Sequence, residues 1–324
     1  MFISKRTIKG TAYFYLEDRV EKKRISVLLG NKGLAFGRMK EGLETFIQKK
    51  ALERAKQTHE QFRSHILSFP EILSLERLKV DYSILEDFFP SGFESFKEDE
   101  FVRYAQGSAS VEGNSLSLQE ALLVLTKGAS VAGKKVDEIR EIENMKKAAM
   151  VSKKINEINE RNIKKINAAI LDGFPEKHPG KYRTGPMFIT ASKVRPVPAD
   201  KVESGIKKLL DWMEKNSERV HPLELASEFH ARFEFIHPFE DGNGRTGREI
   251  LNRMLQKKGF PRAIVNLSNR ASYITLLERV QLSKEYAKFS KFIYLCLENR
   301  GKEIHQIIEE NKEIIVKKLG ESIE

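Results

Sequence analysis

The stretch His237-Pro238-Phe239-Glu240-Asp241-Gly242-Asn243-Gly244-Arg245-Thr246-Gly247-Arg248 packs chemistry densely. It holds one imidazole, two carboxylates, three glycines, an amide and two guanidinium groups in twelve consecutive positions. Such a set can grip a polyphosphate while a neighbouring hydroxyl is deprotonated. His237 has the side chain that takes a proton near neutral pH. Asp241 suits Mg²⁺, which takes one or two carboxylates together with substrate phosphates. Arg245 and Arg248 stand three apart, so one helix face would offer both to a shared anion. Gly242 and Gly244 let backbone amides approach phosphate oxygens unobstructed.

The flanking residues predict how this stretch is held. Leu225, Phe229 and Phe233 recur every fourth position, one face of a helix over residues 223–235. Pro238 closes that helix, because the residue before a proline resists the helical region. Gly242-Asn243-Gly244 makes a tight turn, and helical spacing resumes over residues 246–255. The glycines then sit at a helix N-terminus, where free amides and the positive dipole end favour phosphate. This setting excludes two look-alikes. A dinucleotide fingerprint must follow a strand, and a Walker loop ends in Gly-Lys-Ser/Thr. His221, His230 and His237 lack the one-turn spacing of a helical zinc site, and His230 reads as a packed or capping residue.

The fold class expected for the remainder is mainly α with a small β module in front. In residues 1–35, Ala12-Tyr13-Phe14-Tyr15-Leu16 and Arg24-Ile25-Ser26-Val27-Leu28-Leu29 are β-prone, separated by a charged turn at Glu17-Asp18-Arg19. Residues 36–100 form a helical region: a charged amphipathic run over 41–67 is stopped near Pro70, and Phe88-Phe89-Pro90-Ser91-Gly92 reads as a loop. Ser117-Leu118-Gln119-Glu120 has capping-box form and opens a helix through Leu125. Apolar periodicity runs over 136–170, and residues 173–192 are broken by glycine and proline, with a short strand at Met187-Phe188-Ile189-Thr190. Residues 201–216 are helical, as is the chain from Tyr273 onward except for a break at Arg300-Gly301, which sets off a C-terminal helix over 301–324. A catalytic domain is expected over 101–300.

Of the 324 residues 40% are hydrophobic, a globular value, and the net charge of +11 is spread over helix faces. It favours anionic partners without choosing among them. A nucleic-acid-binding regulator is the alternative of another class, but no aromatic-basic recognition motif supports it. Cys296, the lone cysteine, reads as a small core residue. No signal-peptide core or bilayer-length apolar run is present, so a soluble, cytoplasmic protein without membrane association is expected.

The His237–Arg248 motif resembles the signature of the Fic (filamentation induced by cAMP) family: His-Pro-Phe, two residues, Gly-Asn-Gly-Arg, two residues, Arg. The resemblance implies a helical bundle with a β-hairpin flap, and a nucleotidyltransferase that moves AMP from ATP to a hydroxyl of a target protein, itself included. It implies His237 as base, Asp241 as the Mg²⁺ ligand, and Gly242, Asn243 and Gly244 as an anion hole. Arg245 would hold phosphate, Arg248 the γ-phosphate, and Phe239 would anchor the loop. Ser108-Ala109-Ser110-Val111-Glu112-Gly113-Asn114 resembles the family's inhibitory motif. Glu112, with Ser108 and Gly113, would then deny Arg248 to ATP, in the class with an N-terminal inhibitory helix; an ordinary helix C-cap is the other reading. Met187, Phe188 and Ile189 fall where the family carries the flap that docks a target by strand addition. Asn269, Arg270 and Tyr273 fall where it lines the adenine pocket, although Tyr273 fits a core position equally. The same site could also remove AMP, with Glu112 positioning a water. The number of subunits stays open, a homo-oligomer included.

Overall fold

Three strands open the chain, β1 (Phe2–Ile8), β2 (Thr11–Val20) and β3 (Lys23–Asn31), paired antiparallel in the order β1-β2-β3. The computed structural model describes residues 1–188 and 194–323. Phe14, Leu16 and Val20 of β2 and Ile25, Val27 and Leu29 of β3 alternate into one buried face. That face packs on α1 (Lys32–Gln61), which presents Ala35, Met39, Leu43 and Phe46. The charged turn expected at Glu17-Asp18-Arg19 is strand instead; the chain reverses after Val20, with Glu21 at φ 50°. Glu17 tolerates the strand because Arg6 and Arg24 on the neighbouring strands and Ser26 hold its buried carboxylate. β1 escaped the sequence reading because Phe2-Ile3-Ser4-Lys5-Arg6-Thr7-Ile8 lacks the apolar–polar alternation of a strand and lies at a half-exposed edge.

Three helix boundaries also differ from expectation. α1 ends at Gln61, and Pro70 sits in the first turn of α2 (Phe69–Phe88), behind a Ser68–Glu71 capping box. Proline starts this helix rather than stopping the one before. The loop expected over 88–92 shrinks to Phe89, after which α3 (Pro90–Val111) begins. Near the C-terminus α11 (Ala287–Glu310) runs through Arg300-Gly301 unbroken, with Leu78 packed beside Gly301. α12 (Lys312–Gly320) follows.

The chain divides into two compact units, one of Met1–Arg63, Leu67–Ser95 and Glu298–Glu324, the other of Ser64–Ile66 and Phe96–Leu297. The second contains α4 (Leu118–Lys127), α5 (Val136–Lys153), α6 (Glu160–Ile170), α7 (Val202–Asn216), α8 (Pro222–Ile236), α9 (Asn243–Gln256) and α10 (Arg270–Ser283). Ser117 and Glu120 form the capping box of α4. The periodicity over 136–170 divides into α5 and α6, the latter capped by Asn159. Phe229, Phe233 and Ile236 of α8 meet Ile163, Ile166 and Ile170 of α6, Ile250 of α9, and Phe239. Burial of each aromatic ring contributes about 1.5–3 kcal/mol. Met187 and Phe188 are irregular, not strand, and Ile189 and Thr190 lie outside the described residues. Among the described residues no helix is long and apolar enough to cross a membrane.

Candidate active site

α8 ends at Ile236, and His237 turns the chain in the left-handed region at φ 49°. Arg183 fixes that turn. Its Nε donates to the His237 carbonyl at 2.8 Å, its side chain also reaches the carbonyls of Val197 and Ile236, and its amide donates to Pro238 O at 2.9 Å. Phe239 is fully buried, and Asn243 locks it by accepting from the Phe239 amide at 2.9 Å and donating to its carbonyl at 2.8 Å. The Asn243 side chain is therefore spent inside the loop, and what it offers an anion is its backbone amide. Gly242, at φ 74°, makes the left-handed turn into α9. The first-turn amides of α9 have no intrahelical acceptors, as a phosphate site requires.

His237 is 19% exposed, and its Nδ1 lies 3.3 Å from the Glu234 carbonyl. That contact assigns the proton to Nδ1 and leaves the Nε2 lone pair available. Burial lowers the ring's pKa below its ordinary value, which keeps it neutral and able to accept a proton. Asp241 is 34% exposed and paired with Lys177 at 2.7 Å and Arg245 at 3.0 Å. Burial opposes its charge, but Arg245 and Lys177 outweigh burial and hold the carboxyl below the usual range. An ionised, accessible carboxylate beside unpaired helix-N-terminal amides fits Mg²⁺, which takes one or two carboxylates together with substrate phosphates. Arg245 pairs also with Glu141 at 3.1 Å.

Arg248 is wholly enclosed. Its Nε donates to Ser108 Oγ at 2.9 Å, and its Nη2 donates to Ser108 O at 2.9 Å and to Glu112 Oε1 at 2.7 Å. Its Nη1 donates to Tyr273 at 3.2 Å. Burial disfavours the cation, yet Tyr273 and Glu112 hold it more firmly protonated than a free guanidinium. Glu112, 38% exposed, is lowered in pKa by Arg248 against the opposing effect of desolvation. Glu112 follows the last residue of α3, and Gly113 at φ 102° turns the chain away. The C-cap and the arginine contact are thus the same structural feature. Arg270 holds this helix end by donating from Nε to Val111 O at 2.8 Å. The site depends on Gly244 being glycine, because a Cβ there would come within 2.1 Å of Glu112 Oε1.

The structure thus gathers His237, Asp241, Gly244, Arg245, Arg248, Tyr273, Ser108 and Glu112. Tyr273 is 2% exposed, and its hydroxyl is engaged by Arg248 and by His230 at 2.7 Å. Sequence reasoning missed Lys177, Glu141, Arg183, Asn167 and Glu234. Asn167, on α6, donates to the Asp241 carbonyl at 3.0 Å and accepts from the Gly180 amide at 2.9 Å. No local spacing relates the first four of these residues to the motif, whereas Glu234 sits three residues before His237.

The fold has counterparts among known proteins. The fold matches a Fic family protein from Desulfovibrio desulfuricans G20 with a TM-score of 0.67 at 24% identity, over 78% of each chain. It matches a fragment of Fic-1 from Caenorhabditis elegans at 0.59 and 23%, over 83% of this chain and 75% of that one. Residues 157–255 match the Fic/DOC family model. Protein adenylyltransferase fic-1 of C. elegans is 30% identical over 189 residues, 56% of this chain and 37% of its own length. Protein adenylyltransferase Fic of Nematostella vectensis is 28% identical over 213 residues, 62% of this chain and 48% of its own length. Residues 157–255 form a Fic/DOC domain, the chain is distantly related to protein adenylyltransferases, and it spans less than half the length of these curated relatives.

Proposed function

We propose that this protein is a self-inhibited adenylyltransferase that moves AMP from ATP to a hydroxyl of a target protein. His237 Nε2 takes the hydroxyl proton, the freed oxygen bonds to the α-phosphorus, and pyrophosphate leaves. The α9 amides and Arg245 stabilise charge developing on the phosphate oxygens. Asp241 holds Mg²⁺, which when bound neutralises phosphate charge. Arg248 holds the γ-phosphate and so aligns the α-phosphate with the base.

The observation that carries this reading is the 2.7 Å pair between Arg248 and Glu112. While it stands, the cation that should receive the γ-phosphate is occupied. Transfer from ATP labelled at the α-phosphate tests it. Glu112→Gly should label about tenfold to a hundredfold faster than wild type, the worth of one charge-assisted hydrogen bond of ~1.5–3 kcal/mol. His237→Ala in that background should lose about 10²–10⁴-fold, the contribution of a general base. Equal labelling by wild type and Glu112→Gly refutes self-inhibition, and undiminished labelling without His237 refutes the base.

One observation favours a second activity at the same site. Glu112 is ionised yet 38% exposed, so its carboxylate can take a proton from water and direct that water at an AMP-modified side chain. AMP release from a modified protein that persists in Glu112→Gln excludes it.

A further inference from the structure

A second carboxyl group lies within electrostatic reach of Arg248. Glu234, on the last turn of α8, is 7% exposed, and its Oε2 lies 3.8 Å from His237 Nδ1. Its Oε1 is buried without a hydrogen-bond partner. Close packing holds it there, since a Cβ on Gly247 would come within 2.8 Å of Oε1 and 2.6 Å of His230 Nδ1. An ionised carboxylate with an oxygen buried and unbonded is expensive, whereas a neutral carboxyl is not.

From this arrangement we infer that Glu112 and Glu234 share a single negative charge beside Arg248: Glu234 is protonated while Glu112 holds the arginine, and it ionises when Glu112 leaves. The inference rests on the self-inhibition reading and extends it to the protons. Two carboxyls facing one buried cation rarely ionise together, because the second charge is repelled by the first. The groups around Glu234 act in the required directions. From α8 itself, His230 is kept neutral, its pKa pushed down to about 3 by burial and by Arg248, while His237 faces Oε2 from the helix C-cap. From α9 Arg248 favours the Glu234 anion, and from the end of α3 Glu112 opposes it. From α10 Tyr273 is neutral, its own ionisation opposed by burial and by Glu234. Burial, with Glu112, pushes Glu234 up to about 8.

When Glu112 withdraws, the Glu234 carboxyl proton passes to solvent and Arg248 keeps a counterion. Arrival of the γ-phosphate on Arg248 restores a nearby anion, and Glu234 takes one proton back. ATP binding to the released enzyme is therefore coupled to proton uptake.

Carbon-13 NMR of the Glu234 carboxyl in the nucleotide-free protein, assigned by its loss in Glu234→Gln, tests the shared charge directly. Its titration midpoint should fall by about one pH unit in Glu112→Gln, a tenfold change in ionisation constant. An unchanged midpoint overturns the inference whether or not self-inhibition is correct. Calorimetry of ATP binding in buffers of differing ionisation enthalpy gives the second readout. Glu112→Gly should take up protons near pH 7, and Glu112→Gly/Glu234→Gln should not. Equal uptake by both overturns the inference. Failure of Glu112→Gly to bind ATP more tightly than wild type instead sinks the self-inhibition reading, and the NMR result still decides the shared charge.

Discussion

Glu76 and Glu17 of the unit built on the sheet and Glu234 of the other unit are buried carboxyl groups treated in opposite ways. In the unit built on the sheet, Glu76 is fully buried, yet both its oxygens are served, Oε2 by Arg54 at 2.9 Å and Oε1 by Thr58 at 2.9 Å, with Lys79 alongside. Glu17 is handled the same way by Arg6, Arg24 and Ser26. Burial works against both charges, and the partners win: Glu76 is held below its ordinary pKa and Glu17 falls to about 2. In the other unit Glu234 is also buried, but its Oε1 has no hydrogen-bond partner and the group rises to about 8. A structural carboxylate is satisfied until it is inert, whereas one left short of partners keeps a proton that can move.

Three substitutions can break this contrast. Glu76→Gln should have the largest effect, lowering unfolding free energy in urea by ~1–3 kcal/mol, because Lys79 and Arg54 lose their anion. Glu234→Gln should be nearly neutral at pH 5 and stabilising at pH 8. The folded pKa of Glu234 is raised above its ordinary value near 4.5, so its contribution is intact below that value and is lost as pH climbs toward about 8. Glutamine removes this loss, and melting temperatures at the two pH values provide the check. Glu17 has the reverse sign. Its folded pKa is depressed, so its contribution is present above the ordinary value near 4.5 and disappears as pH falls toward about 2. Glu17→Gln should flatten that acid limb only slightly, because Arg6 and Arg24 are half-exposed and can be rehydrated. Urea titrations at pH 2 to 5 would show it. If Glu234→Gln were as harmful as Glu76→Gln, the contrast would collapse.

Local chemistry in the sequence pointed correctly wherever neighbours in the chain are neighbours in space. The helices flanking the motif, the closure at Pro238, the glycine turn and the Ser117–Glu120 capping box all follow from spacing within a few residues. Where tertiary pairing decides, the pattern misleads. Glu17-Asp18-Arg19 looks like a turn until Arg6 and Arg24 come alongside, and Gly301 looks like a break until Leu78 lies against it. The partners that tune the site, Lys177 on Asp241, Asn167 on its carbonyl and Arg183 around His237, lie 54 to 74 positions from what they touch. Glu234 was overlooked for another reason: it sits three residues before His237, inside a helix whose apolar spacing reads as core.

The central claim is that Arg248 passes from Glu112 to the γ-phosphate of ATP. A crystal structure of Glu112→Gly with Mg²⁺ and a non-hydrolysable ATP analogue tests it most directly. The γ-phosphate oxygens should accept from the Arg248 guanidinium, with the α-phosphate facing His237 Nε2. If Arg248 instead stays on Ser108 and Tyr273 and the γ-phosphate lies elsewhere, while transfer still rises in this variant, the account of Arg248 is wrong.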